Sequence, residues 1–232
     1  MNSKSIRIVL LFTTLLFCCS NSVEYSENFK NNTSGSYLYN QDDVIEIFYE
    51  KNKLKLKWRE GVMTPVSIDT NEFFVADMYA KLYFVQHPQT KERYLSIMSE
   101  ENEGHITYDY LKVPDTYKTP STLLKEGDYE KALQGYLLIR EKDSTSEFIN
   151  EREFNRRGYR HIRKKEYDKA IGVLKLNAVL HPQSVNVYDS LAEAYLLKGD
   201  SLQAFKTYKK ALEMNAGNNR AKKFIEAYSN MK

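Results

Sequence analysis

Three six-residue phrases in the second half of the chain close on an alanine: Gly127-Asp128-Tyr129-Glu130-Lys131-Ala132, Lys165-Glu166-Tyr167-Asp168-Lys169-Ala170 and Gly199-Asp200-Ser201-Leu202-Gln203-Ala204. The last two lie 34 residues apart and the first two 38. This periodicity constrains the fold more than any other feature, because a repeat of that length is one supersecondary unit that cannot bury its apolar face alone. It must stack on its neighbours.

In the final unit, Tyr188, Leu191, Ala192 and Tyr195 fall at helical spacing, Gly199 and Asp200 break the helix, and Ala204, Tyr208, Ala211 and Leu212 build a second apolar face. The middle unit repeats this with Phe154, Gly158 and His161, then Ala170, Leu174 and Ala178, and Pro182 ends its second helix. Gly158, Ala170, Ala192 and Ala204 take the positions where two helix backbones come closest. The first unit starts at Pro120, and residues 142–146 hold its four extra residues. Ala221, Phe224, Ile225 and Tyr228 make the inner face of a final helix over 219–231 with lysines outside, as suits a polar end cap. Together these positions resemble the tetratricopeptide repeat (TPR) family, with about two and a half repeats and a cap spanning 121–232. The chain departs from the family at Arg157, where an apolar residue is usual, and at Ala216, where proline is common.

Between residues 36 and 113 the period becomes alternating. Leu54, Leu56 and Trp58 interleave with Lys53, Lys55, Lys57 and Arg59, a strand with one buried and one charged face. With further runs at 36–40, 44–50, 62–68, 72–76, 80–86, 93–99 and 105–112, about eight short strands with tight turns are expected. The fold class is therefore α+β: an N-terminal antiparallel β barrel or sandwich with an aromatic interior, a linker over 114–120, and a short helical solenoid.

The N-terminus reads as an export signal over 1–19. Lys4 and Arg7 precede the ten-residue apolar run from Ile8 to Phe17, which is too short to span a bilayer. Leu16-Phe17-Cys18-Cys19 resembles a bacterial lipoprotein box with Cys19 as the acylated residue, and Ser20-Asn21-Ser22 would equally suit ordinary cleavage and soluble export. Both cysteines of the chain lie here, so the folded part has no internal disulfide or cysteine metal site. The polar stretch 20–35 has the composition of a flexible tether.

The β segment opening Gly35-Ser36-Tyr37-Leu38-Tyr39, followed by the repeats, resembles the C-terminal extension of exported β-lactamase-type serine hydrolases of Bacteroidota, without their hydrolase domain. Such enzymes need a Ser-x-x-Lys nucleophile at a helix start and a Lys-Thr-Gly strand. The formal match at Ser229 to Lys232 sits in the last four residues, and Lys118-Thr119-Pro120 lacks the glycine, so no catalytic residue is carried over. His87, His105, His161 and His181 lack metal-ligand spacing, no glycine-rich phosphate loop occurs, and the Asp42-Asp43 and Glu100-Glu101-Glu103 carboxylates read as solvated turn residues. No enzyme, metal or cofactor is expected.

The net charge of +3 conceals an opposition: residues 23–120 carry −5 and residues 121–232 carry +6. The basic excess is densest at Arg156, Arg157, Arg160, Arg163, Lys164 and Lys165, which suits a solvated helix face, docking on the acidic β domain, or an acidic protein partner. Nucleic acid is disfavoured by the lack of interleaved aromatics. The TPR resemblance implies a concave groove lined by the first helices of successive units. Family geometry projected onto this chain puts Arg152, Asn155, Tyr159 and Arg163 in the groove from one unit and Asn186, Asp189 and Glu193 from the next. The family's clamp for a terminal carboxylate is missing, since Asn155 and Tyr159 occupy two of its places and Asp189 would repel the anion. The expectation is an exported, lipid-anchored, noncatalytic module of the cell envelope with an unidentified protein partner. Alternatives are a small apolar molecule or glycan held inside the β domain, and an accessory role beside a separate hydrolase.

Overall fold

The computed structural model describes residues 23–98 and 105–230. The export segment with Cys19, the carboxylates at 100–103 and the last two residues lie outside these.

Nine strands are present among the described residues: β1 (Gly35–Asn40), β2 (Asp43–Glu50), β3 (Lys53–Trp58), β4 (Gly61–Met63), β5 (Val66–Ser67), β6 (Glu72–Val75), β7 (Ala80–Gln86), β8 (Arg93–Met98) and β9 (Tyr110–Leu111). They form two antiparallel meanders, β1-β2-β3-β4 and β5-β6-β7-β8-β9. The meanders join where Tyr37 bridges Lys112 and the Val113 amide donates to the Ser36 carbonyl at 2.8 Å. The result is a curled half-barrel. Two expected runs are corrected. The 62–68 run is two strands, because the buried Pro65 between them has no amide for a ladder, and 105–112 contributes only its end. His105 consequently precedes β9 and starts no strand.

Register follows the alternation: Ile47 faces Leu56, Phe73 faces Leu82 and Phe84 faces Leu95, all pointing inward and buried. The tether expected over 20–35 is also corrected. Residues 27–33 form helix α1 (Glu27–Thr33), capped by the Ser26 hydroxyl, and the chain around it plugs the half-barrel. Tyr25 is 6% exposed and its ring meets Tyr49 at 5.0 Å, while Phe29 meets Phe84 edge-on at 5.6 Å. The Tyr37 hydroxyl donates to the Thr33 carbonyl at 2.8 Å, and the Lys112 ammonium donates to the Asn32 carbonyl at 3.0 Å. Tyr25, Phe29, Tyr37, Tyr49, Phe73 and Phe84 fill most of the interior and leave a 200 Å3 recess beside Phe29, Tyr37, Phe84 and Arg93.

The helical half contains α2 (Pro120–Glu126), α3 (Tyr129–Lys142), α4 (Glu151–Arg163), α5 (Tyr167–Leu180), α6 (Val185–Lys198), α7 (Ser201–Met214) and α8 (Asn219–Ser229). Pairs α2/α3, α4/α5 and α6/α7 stack in sequence, and α8 packs on α7 through Phe224 and Tyr208, whose rings lie 5.2 Å apart. This is a TPR-like array with a shortened first helix. The side chains of Thr119, Asp128, Asn150, Ser184, Asp200 and Asn218 cap helix N-termini, which explains where most of these helices begin. The extra residues of the first unit fall in the turn and short 3-10 segment between α3 and α4.

The repeated phrase explains the turns. Gly127 (φ 88°) and Gly199 (φ 90°) take the left-handed conformation that closes a helix, and Lys165 (φ 59°) takes it at the equivalent place in the middle unit. A lysine there is strained by about 1 kcal/mol relative to glycine. Lys165→Gly is therefore expected to raise stability by about that amount in denaturant titration; an unchanged or lowered midpoint would contradict it.

Candidate functional site

The expected groove residues project from α4 and α6, the first helices of the second and third units. Asn155 is corrected: it is 7% exposed, and its side-chain oxygen accepts from Asn177 Nδ2 on α5 at 3.2 Å. It holds the pair together and does not line the groove. The other positions remain at the surface, and several bind one another. The Tyr159 hydroxyl donates to Glu193 Oε2 at 2.7 Å, and Asn186 Nδ2 donates to Glu151 Oε1 at 3.1 Å.

Arg220, in the first turn of α8, bridges to Asp189 at 3.3 Å and also to Glu193. Burial opposes its charge, but these two carboxylates raise its pKa further above an already high value. Asn218 Nδ2 adds a bond to Asp189 Oδ1 at 3.0 Å. The acidic half of the groove is thus partly neutralised from within by the capping helix, one arginine against two carboxylates. Sequence reasoning missed this, although Arg220 lies one 34-residue step beyond Asn186 and two beyond Arg152. Arg152 stays exposed in a 500 Å3 recess with Asn150, Glu151 and Asn186, and Arg163 is exposed near the other end of α4.

The junction between the two halves holds a half-buried carboxylate that the sequence presents as a solvated turn residue. Asp42, in the β1–β2 turn, accepts from the Ser121 amide at 2.7 Å and from the Tyr136 hydroxyl at 3.2 Å. Burial pushes its pKa up, against the hydrogen bonds from Ser121 and Tyr136 and the charge of Arg157. Burial, and then the negative charge of Asp42, push the Tyr136 phenol well above its usual range. One carboxylate therefore pins the first helices to the β domain. Its neighbour Asp43 is also occupied, accepting from Trp58 Nε1 at 3.1 Å and pairing with Arg59 at 3.2 Å.

Three of the four histidines are taken up in hydrogen bonds. His161 Nδ1 meets Glu166 at 2.7 Å, His181 Nε2 donates to the Ile149 carbonyl at 2.8 Å, and His87 Nδ1 accepts from the Gln89 and Thr90 amides. Among the described residues, no group of three or more His, Cys, Asp or Glu is placed to hold a metal ion, and no helix is long and apolar enough to cross a membrane.

No family model matches the chain, and no curated protein matches it in sequence. It is similar to several solved structures. The first TPR of Spaghetti (RPAP3) bound to the HSP90 peptide SRMEEVD matches at 20% identity over 48% of this chain and 86% of that one, with a TM-score of 0.34. The Yersinia enterocolitica type III secretion chaperone SycD, in complex with a peptide of the translocator YopD, matches at 22% over 48% and 88%, with a TM-score of 0.34. The Sgt2 TPR domain from Aspergillus fumigatus matches at 20% over 48% and 73%, also at 0.34. The description of the helical half as TPR-like rests on its own three helix pairs, with steps of 38 and 34 residues between them.

Proposed function

We propose that the protein is an exported, lipid-anchored and noncatalytic interaction module that binds a protein partner through its helical array. The observation that carries this reading is the stacking of α2/α3, α4/α5 and α6/α7 into one array with exposed lateral faces. Such an array offers a partner a continuous surface. Its core is mostly apolar, with Asn155, Asn177 and Ser190 buried among the helices.

The lipoprotein box supports anchoring at Cys19, and the plug would leave only a short tether. With Tyr25 fixed in the half-barrel, six chain steps separate it from Cys19, a reach of roughly 20 Å at full extension. The anchored β domain would rest close to the bilayer.

The test is fractionation followed by crosslinking capture from the membrane fraction. Wild type is expected in membranes with an acylated N-terminus at Cys19, holding a reproducible protein partner, whereas Cys19→Ala is released. An unmodified mature N-terminus in wild type overturns the anchoring. A wild-type protein that captures no partner overturns the interaction role.

A further inference from the structure

A cleft of 370 Å3 opens between the α2–α3 turn and the outer face of α4. Lys125, Arg157, Arg160, Lys164 and Lys169 line it beside the His161 ring, against two carboxylates, Glu126 and Glu153. Both carboxylates are engaged: Glu126 by Lys118 at 2.6 Å, and Glu153 by Arg157 at 3.2 Å and by Arg156. Lys169 pairs with Glu166 at 3.0 Å. Lys125, Arg160 and Lys164 form no ion pair among the described residues. The floor is apolar, made by Leu124, Tyr129 and Val173.

Helix ends account for part of this charge. Lys125 and Lys164 stand at the C-termini of α2 and α4, where a cation offsets the helix dipole. Arg160 also lies in the last turn of α4, so helix ends account for these cations singly and leave their convergence on one concavity unexplained. No β-domain residue lines the cleft, so the acidic half of this molecule does not fill it. On α4 the cleft positions 157, 160, 161 and 164 lie about 120° round the helix from the groove positions 152, 159 and 163. The cleft and the groove are separate surfaces.

We propose that this cleft takes an acidic segment of a protein partner, whose carboxylates meet Lys125, Arg160 and Lys164 while their aliphatic stems lie on Leu124 and Tyr129. The inference rests on the interaction role proposed above and supplies the partner's chemistry. A concave site with an apolar floor suits side chains that enter singly; a flat anionic bilayer would reach only its rim.

The experiment measures fluorescence anisotropy of a short labelled peptide alternating glutamate and serine, titrated with the full chain. Its glutamine counterpart is the control. Arg160→Glu/Lys164→Glu is expected to weaken the glutamate peptide about tenfold, and Arg152→Glu on the groove face less than about twofold. Both cleft residues are exposed, and circular dichroism checks that the fold survives; Arg160→Gln/Lys164→Gln serves if charge reversal disturbs it. Equal binding of the glutamine peptide, or an equal loss from Arg152→Glu, overturns the inference. So does competition by inorganic phosphate or phosphatidylglycerol vesicles as effective as that of the unlabelled peptide. In membrane capture, a partner retained by the cleft variant defeats this inference and leaves the interaction role standing, whereas a wild type that captures nothing defeats the role itself.

Discussion

Gly158→Val is expected to lower the melting temperature by about 10 °C. A Cβ at position 158 would stand 2.6 Å from Leu174 Cγ, and 2.7 and 3.0 Å from its two Cδ atoms. Leu174 is fully buried between α4 and α5 and has no solvent to swing into. The two helices must separate, at a cost of about 3 kcal/mol for a β-branched side chain in a packed interface. Leu174→Ala alone costs about 2–5 kcal/mol by leaving a cavity. The double variant should lose less than the sum of the two, because each change relieves the other. Thermal unfolding of the four proteins by circular dichroism decides the matter. A Gly158→Val protein that melts with wild type would mean that this pair does not pack as described.

Asp42→Leu should uncouple the two halves of the molecule. It removes the acceptor for the Ser121 amide and the Tyr136 hydroxyl, and Tyr136 is 1% exposed, so at least one donor is left dry. A cost of about 3 kcal/mol follows. The single cooperative transition expected of wild type should split into two in denaturant titration. A single unshifted transition would show that Asp42 does not couple the halves.

Asp42→Asn keeps an acceptor oxygen and removes the charge, which gives the junction a pH signature. Because burial raises the folded-state pKa of Asp42 above its ordinary 3.8, its stabilising contribution is complete below that value. It is lost as pH rises through the raised pKa. Wild type should therefore gain on Asp42→Asn as pH falls from 7 towards about 4. Glu166 acts in the opposite sense in both proteins and cancels from the comparison: the His161 hydrogen bond and Lys169 hold its pKa at about 2, so its contribution is lost as pH falls towards that value. A difference between the two proteins that does not move with pH would contradict this account of Asp42.

What could be read in the chain depended on how local each signal was. The repeats were legible because Gly127, Gly199 and the alanines at 132, 170 and 204 each answer a local demand, a left-handed turn or a close helix approach, that recurs at steps of 38 and 34 residues. The strands were legible wherever alternation ran for several residues, as in Leu54, Leu56 and Trp58. The plug was hidden because residues 20–35 are polar overall; Tyr25, Phe29 and Thr33 fall on one helical stripe, but nothing nearby shows that a half-barrel waits to receive them. Asp42 was misread for a related reason, since its partners lie 79 and 94 residues away. Of the groove positions, Asn155 turned inward because Asn177, also polar and buried, gave it a partner. The Arg220 contacts are not legible locally, since its partner Glu193 lies 27 residues back on α6.

The array is closed at both ends. At one end Asp42 holds the first helices against the half-barrel, and at the other α8 turns Ala221 and Phe224 inward while Lys222, Lys223 and Glu226 face water. Among the described residues, a stack capped in this way offers little bare apolar surface along its axis, which disfavours head-to-tail addition of another copy and leaves the lateral faces as the surfaces a partner would meet.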